Sequence, residues 1–108
     1  MRPEEKVTKA IRKFLKPLEK SGELFVVKIH GGPAQRAGLP DLHLTYKGRS
    51  IWLEIKAPGE VATPLQLSTI GKIRQAGGVS CVVTSVDEVT AILRAVASLP
   101  EPEPLSVH

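Results

Sequence analysis

The chain is poor in the residues on which several classes of protein depend. Its 108 residues include one cysteine, Cys81, which rules out an internal disulfide framework and makes the cytoplasm the expected compartment. Aromatic residues make up only 4% of the chain, too few for a platform on which nucleic-acid bases stack. No apolar run approaches the ~20 residues that span a bilayer. The residues after Met1 also lack the apolar core of a signal peptide, so we expect a cytoplasmic protein.

The residues that are present indicate a basic, globular domain. The apolar fraction of 42% and the charged fraction of 24% are ordinary for a soluble chain, and the length suits one domain. The net charge of +4 and the pI near 9.5 mildly favour a polyanionic partner. If that partner is nucleic acid, the shortage of aromatic residues predicts that phosphate contacts dominate its binding.

Hydrophobic periodicity and turn residues predict the element order α-β-β-β-α-β-α. The predicted elements are a helix over 3–22, strands over 23–30, 41–46 and 50–57, a helix over 63–78, a strand over 79–84 and a helix over 85–99. This order indicates an α/β fold in which a small mixed sheet is flanked by helices. The domain is predicted over 1–98, and the proline-rich tail over 99–108 is expected to be mobile. Pro17 leaves two alternatives for the first helix, a kink or an earlier end.

The stretch GLPDLHLTYKGRSIWLEIK places charged residues within an apolar hairpin. Alternation puts Glu54 and Lys56 on the face opposite the apolar residues of their strand, roughly 6.6 Å apart. A tight turn predicted at 47–49 sets Glu54 across from about Leu42. Asp41, which begins the preceding strand, therefore lies beside Glu54 at the open end of the hairpin.

Two converging carboxylates form an oxygen-rich site for a hard divalent cation. Mg²⁺ takes one or two carboxylates and keeps several waters for exchange with phosphate oxygens. The main-chain carbonyl of Ile55 is a further candidate ligand beside Asp41 and Glu54. A bound ion activates water and stabilises charge on a phosphate, and Lys56 is placed to orient or deprotonate the attacking water. The residues alone are thus compatible with phosphodiester hydrolysis at a Mg²⁺ site, but an acid and a lysine two apart on a strand are most often simply solvated.

Longer stretches of the sequence resemble a known nuclease family. Asp41 followed by Glu54-Ile55-Lys56 looks like the motif of the PD-(D/E)xK nuclease superfamily, and HGGPAQRAGLPDLHL, EIKAPG, TPLQ and AGGVSCVVTSVDEV resemble the VRR-NUC family, the virus-type replication-repair nucleases. The resemblance covers nearly the whole chain except the tail. It implies a restriction-endonuclease-like core and an endonuclease that depends on Mg²⁺ or Mn²⁺, in a bacterial cell or phage-infected host. It also implies a homodimer that cuts branched DNA such as a Holliday junction, with a role in DNA repair.

The resemblance also assigns roles to individual residues. Asp41 and Glu54 match the acidic metal ligands, and Lys56 matches the catalytic lysine. Gln66 matches a glutamine that contacts water or DNA near the metal.

A glutamate on the first helix completes the family pattern. Helical phase favours Glu4, which shares a face with the apolar residues of that helix, whereas Glu5 points elsewhere. Thr8 also has an inward phase. Either Glu4 is the helix ligand or that ligand is absent.

The loop before Asp41 offers candidate contacts to DNA. His30, Gly31 and Arg36 lie in this glycine-rich segment, where a free backbone N–H or a guanidinium suits a phosphate. A solvated loop arginine explains Arg36 equally well, and His30 is more typical of a strand end than of a catalytic site.

Two other functions remain compatible with the sequence. The first is a DNA-binding module of the same fold with little or no catalysis, which the uncertain helix glutamate keeps open. The second is a sequence-specific restriction enzyme, although a chain this short has few residues for reading the major groove.

Overall fold

The seven predicted elements are all present, in the predicted order. The computed structural model describes residues 1–29 and 36–106. Its elements are α1 (Pro3–Lys20), β1 (Leu24–Lys28), β2 (Leu42–Tyr46), β3 (Arg49–Ile55), α2 (Pro64–Gln75), β4 (Val79–Val83) and α3 (Val86–Ala97). The α/β fold class with a small mixed sheet is therefore confirmed.

The four strands form one sheet in the order β1-β2-β3-β4. The first three strands are antiparallel neighbours, and β4 pairs parallel to β3 after the crossover through α2. Helices α1 and α3 pack together on one face and bury the main core. The core residues with no exposed surface are Ile11, Leu15, Leu44, Ile51, Leu53, Ile55, Val83 and Val89. Helix α2 packs against β4, and its Ile73 lines a cavity with Trp52, whose ring stacks on His43 at 4.2 Å.

The hairpin between β2 and β3 has a tighter turn than the sequence predicted. Its loop is the two residues Lys47 and Gly48, with φ angles of 53° and 76°, as in the two-residue turns whose twist matches that of paired strands. The predicted three-residue turn at 47–49 was wrong because Arg49 already belongs to β3, opposite Tyr46. The register moves by one residue, so that Leu42 pairs with Leu53. Continued by one step, it sets Asp41 directly opposite Glu54.

Side-chain caps fix where α2 and α3 begin. The Thr63 hydroxyl accepts a hydrogen bond from the Gln66 N–H at 3.2 Å, and the Gln66 side chain accepts one from the Thr63 N–H at 2.9 Å. At α3, the Ser85 hydroxyl accepts a hydrogen bond from the Glu88 N–H. The Glu88 carboxylate accepts hydrogen bonds from the N–H and the hydroxyl of Thr84. Those bonds from Thr84 lower the pKa of Glu88 below its usual value. Each cap satisfies N–H groups that the first turn of a helix leaves unpaired.

Proline and glycine have specific effects at two positions. Pro17 does not end α1 early, because the helix continues to Lys20 with Pro17 on its exposed side. Gly38 has a φ of +84°, and a Cβ placed there would lie 2.7 Å from Cγ of Leu65. Only glycine fits this loop against the first turn of α2, and the loop leads directly to Asp41.

The segment after α3 contains no regular secondary structure up to residue 106. Residues 99–106 form neither helix nor strand, and the carbonyl of Pro100 accepts a hydrogen bond from the Arg49 guanidinium at 2.7 Å. The domain limit at residue 98 and the mobility of the tail stay predictions. Cys81 is half-buried rather than buried, with a free thiol. Within 1–29 and 36–106, no helix has the length and apolar character needed to cross a membrane.

Candidate metal centre

Three carboxylates from separate elements meet at one end of the sheet. Glu4 lies in the first turn of α1, Asp41 immediately precedes β2, and Glu54 lies near the end of β3. One oxygen from each carboxylate lies within 4.8 Å of the other two. The structure thus brings together the predicted acid pair of the hairpin and the acid that helical phase selected on α1.

Backbone hydrogen bonds fix Asp41 in this position. Its carbonyl accepts from the N–H of Ile29 at 2.8 Å, which extends the pairing of β1 with β2 by one residue. Its Oδ2 accepts from the N–H of Ile55 at 2.7 Å. Asp41 therefore ties the start of β2 to the end of β3, and this bond leaves its other oxygen available for a ligand.

Glu54 is the most buried charged residue of the site. It is 1% exposed, and its Oε1 has no hydrogen-bond partner among the described residues. Its Oε2 lies 3.8 Å from Nζ of Lys56. Burial is the largest cause that raises the pKa of Glu54, to about 8, and the adjacent Asp41 and Glu4 carboxyl groups add to it while the Lys56 ammonium opposes it.

These features fit a divalent cation. A buried carboxylate oxygen without a partner is costly unless a ligand satisfies it, and three adjoining carboxylates repel one another until a cation neutralises them. Glu4, Asp41 and Glu54 form the donor set, which consists only of the oxygen ligands that Mg²⁺ and Mn²⁺ prefer.

The first turn of α1 places Glu4, and not Glu5, beside the other carboxylates, and the role of Glu4 as a metal ligand stays a prediction. Glu4 is half-buried towards the sheet, whereas Glu5 is exposed. Thr8 also faces inward, but its hydroxyl donates to the Glu4 carbonyl at 3.0 Å within the helix. Of the acidic residues of this helix, Glu4 is the one that reaches the other carboxylates.

An open cavity of about 420 Å³ adjoins the cluster. Glu4 and Asp41 line it together with Arg2, Lys9 and Lys28, which were not predicted to belong to the site. Lys28 reaches the cavity because of its place in the sheet. It ends β1, and the observed register places it opposite Leu42, next to Asp41.

The other predicted site residues have less direct relations to the cluster. Gln66 uses its side-chain oxygen in the cap of α2, so its amide group is what remains for water or DNA. Ile55 contributes its N–H to Asp41, and its carbonyl as a metal ligand stays a prediction. Arg36 is exposed. His30 and Gly31 lie outside the described residues, so their roles also stay predictions.

Comparisons with known proteins give a match among solved structures. No family model matches the chain, and the search of curated proteins gives no match. A solved structure described as "VRR_NUC domain" superimposes with a TM-score of 0.71 and 24% sequence identity, over 87% of this chain and 97% of that one.

The chain has the VRR_NUC fold. The resemblance to the VRR-NUC family that the motifs suggested is therefore confirmed for the fold. An identity of 24% supports a shared fold and not a shared activity.

Proposed function

We propose that this protein is a metal-dependent endonuclease that hydrolyses phosphodiester bonds in DNA. One observation carries the proposal: Glu4, Asp41 and Glu54 come from three separate elements and converge within 4.8 Å, with the Lys56 ammonium 3.8 Å from Glu54. Acidic residues on a solvated surface have no reason to converge in this way. Burial of Glu54 also disfavours its ionised form. The VRR_NUC fold and the net charge of +4 support the same assignment.

Each side chain has a distinct role in this proposal. Glu4, Asp41 and Glu54 would hold Mg²⁺ or Mn²⁺, and the ion, when bound, supplies Lewis-acid activation of water and stabilisation of phosphate charge. Lys56 is 13% exposed, so its ammonium can reach a water or phosphate oxygen in the open side of the site. There it would orient the nucleophile and offset negative charge in the transition state. Gln66 would position water or DNA through its free amide group.

A panel of DNAs tests the proposal. Junction, flap, splayed and linear duplex DNAs are incubated with the wild-type protein and Mg²⁺, Mn²⁺ or EDTA, and the products are sized on a denaturing gel. We expect cleavage that requires the divalent ion and is strongest on branched DNA. Binding without cleavage under either ion would instead support a DNA-binding module, and a ladder of defined fragments from plasmid DNA would support a restriction enzyme.

Replacing Lys56 with methionine should separate catalysis from metal binding. Methionine keeps most of the length of lysine but has no charge or proton donor, so cleavage should slow by about 10²- to 10⁴-fold. Affinity for Mn²⁺, measured by calorimetry, should change little or increase because the carboxylates remain. A variant that cleaves at the wild-type rate would remove Lys56 from the mechanism.

We further propose that two copies associate to act on the two strands of a Holliday junction. A two-fold symmetric dimer presents two sites to a substrate with similar symmetry. The open sheet face of β1 supports an association surface, since Phe25 is 67% exposed and Val27 is 38% exposed there. Sedimentation should give twice the chain mass of 11.7 kDa, and Phe25→Ser should shift the protein towards monomer. A monomeric wild type at working concentration would contradict the dimer but not the nuclease chemistry.

A further inference from the structure

Helix α1 carries a stripe of basic side chains along one flank. Lys9, Arg12, Lys13 and Lys16 recur at steps of three and four residues, so they lie on neighbouring turns of the same side of the helix. They line a shallow groove of about 390 Å³, with Glu19 at its far end. These four residues are termed the α1 basic stripe below.

The charge of this stripe is not balanced locally. From Lys6 to Leu18 the helix has five basic residues and no acidic one. Across 1–29 and 36–106, the structure contains no ion pair that involves the stripe. An exposed helix face usually mixes charges of both signs, because like charges three or four residues apart are mildly destabilising. Uncompensated positive charge on a rigid element indicates an anionic partner that provides the missing counter-charge.

The stripe is continuous with the candidate metal centre. Lys9 lines both the basic groove and the 420 Å³ cavity that Glu4 and Asp41 border. Arg2 and Lys28 add two exposed cations to that cavity. A path of positive charge therefore begins beside the carboxylates and runs towards the C-terminal end of α1.

We infer that the α1 basic stripe is the track for the phosphate backbone of the DNA on one side of the cut. This inference rests on the proposed nuclease function and deepens it, because it assigns the direction in which the substrate leaves the site. A polyanion with evenly spaced charges matches an unpaired basic stripe that ends at a metal-binding cluster. The stripe contains no aromatic ring, so it holds the backbone rather than the bases and does not select sequence.

The length of the helix sets the extent of this contact. Glu4 and Lys16 are separated by 12 residues, which is about 18 Å along the helix axis. One strand of B-DNA has a phosphate about every 3.4 Å of helix axis, so the stripe reaches about five nucleotides from the cluster. Arg12 and Lys13 lie between these ends and can contact the intervening phosphates.

Salt dependence of DNA binding tests the inference. The variant Lys13→Ala/Lys16→Ala removes two stripe charges far from the carboxylates. The control Lys72→Ala/Arg94→Ala removes two exposed charges from α2 and α3. The affinity of each protein for a labelled four-way junction and a linear duplex is measured over a series of KCl concentrations without divalent metal. The stripe variant should bind about tenfold more weakly near 0.1 M salt, with a log–log salt slope smaller by about 1 to 2, while the control changes less than about twofold.

A hydroxyl-radical footprint gives the direction. The wild type should protect one strand for about five nucleotides to one side of its cleavage position, and the stripe variant should lose that protection. Equal salt slopes and equal footprints for the stripe variant and the control would overturn the inference. So would loss of binding to phosphatidylserine vesicles by the stripe variant with unchanged DNA affinity, since that points to a membrane surface as the partner.

The outcomes distinguish this inference from the proposed function. If the wild type cleaves with Mg²⁺ or Mn²⁺ but the stripe variant retains its salt slope and footprint, the nuclease assignment stands and the track is wrong. If the wild type binds but does not cleave, the nuclease assignment fails whatever the stripe variant does. Calorimetry with Mn²⁺ on the stripe variant should give wild-type affinity, because Lys13 and Lys16 do not border the carboxylates.

Discussion

The Asp41→Asn variant should lose DNA cleavage by a factor of about 10³ or more and should bind Mn²⁺ weakly, yet remain folded. Loss of one of three carboxylates removes charge from the metal site and with it the stabilisation that the ion gives to the phosphate. The fold should survive because an asparagine side-chain oxygen can still accept the Ile55 N–H bond that Asp41 accepts at 2.7 Å. Above pH 8, where Glu54 is ionised in the metal-free protein, loss of the Asp41 charge also removes its repulsion with Glu54, so the variant should there be as stable as the wild type or more so.

Asp41→Ala provides the matched control. It removes the same charge and also leaves the N–H of Ile55 without its acceptor, which should lower the free energy of unfolding by about 1 to 3 kcal/mol. Cleavage rates, Mn²⁺ calorimetry and urea unfolding on both variants separate the two effects. Substantial cleavage by Asp41→Asn at saturating metal would contradict the role of this carboxylate as a ligand.

The Glu54→Gln variant should abolish metal binding and remove the pH dependence of stability that Glu54 causes in the metal-free protein. The pKa of Glu54 is raised from 4.5 to about 8, mainly by burial. Between these values the folded wild type keeps a proton that the unfolded chain has lost. Its stability therefore falls as the pH rises from about 4.5 to about 8, with a slope of up to about 1.4 kcal/mol per pH unit. Glutamine at this position does not titrate, so it removes this loss of stability.

Urea unfolding at a series of pH values in EDTA measures this effect. At pH near 5 the wild type and Glu54→Gln should have similar stability, and above pH 8 the variant should be the more stable protein. Parallel stability curves over the whole range would show that Glu54 is not titrating as its burial requires.

Added Mn²⁺ should make the wild type more stable than Glu54→Gln at high pH. The ion binds the carboxylate form of Glu54, so metal affinity should increase with pH until about 8 and then level off. The wild type should then regain stability with metal by mass action, whereas Glu54→Gln should gain little. Near neutral pH, binding of the ion should release a proton, which calorimetry detects as a dependence of the heat on the buffer.

The sequence predicted the fold well because each element has strong local signals. Pro64 after Thr63, and Ser85 three residues before Glu88, marked the starts of α2 and α3, and the structure contains both caps. The convergence of Asp41 with Glu54 also followed from alternation and the short hairpin. These are interactions between residues close in sequence, where local chemistry decides the structure.

Features that depend on distant packing were harder to predict. The phase of α1 favoured Glu4, but only the packing of that helix against the sheet decides whether its carboxylate reaches Asp41. The contribution of Lys28 to the cavity depends on pairing between β1 and β2, two strands separated by a long loop. Gln66 was assigned to the site from the TPLQ motif. In the structure its side-chain oxygen belongs to the cap of α2, and its role in the site stays a prediction.

The two-residue turn at Lys47 and Gly48 has a consequence far from its own position. The turn lies six residues from Asp41, or about 20 Å along an extended strand. Its length nevertheless helps to set which β3 residue pairs with each residue of β2. Because side chains alternate between faces, a one-residue slip in that pairing would present a core leucine where Asp41 now stands. Insertions and deletions at this exposed tip should therefore be tolerated only in numbers that restore the pairing, even though the tip lies six residues from Asp41.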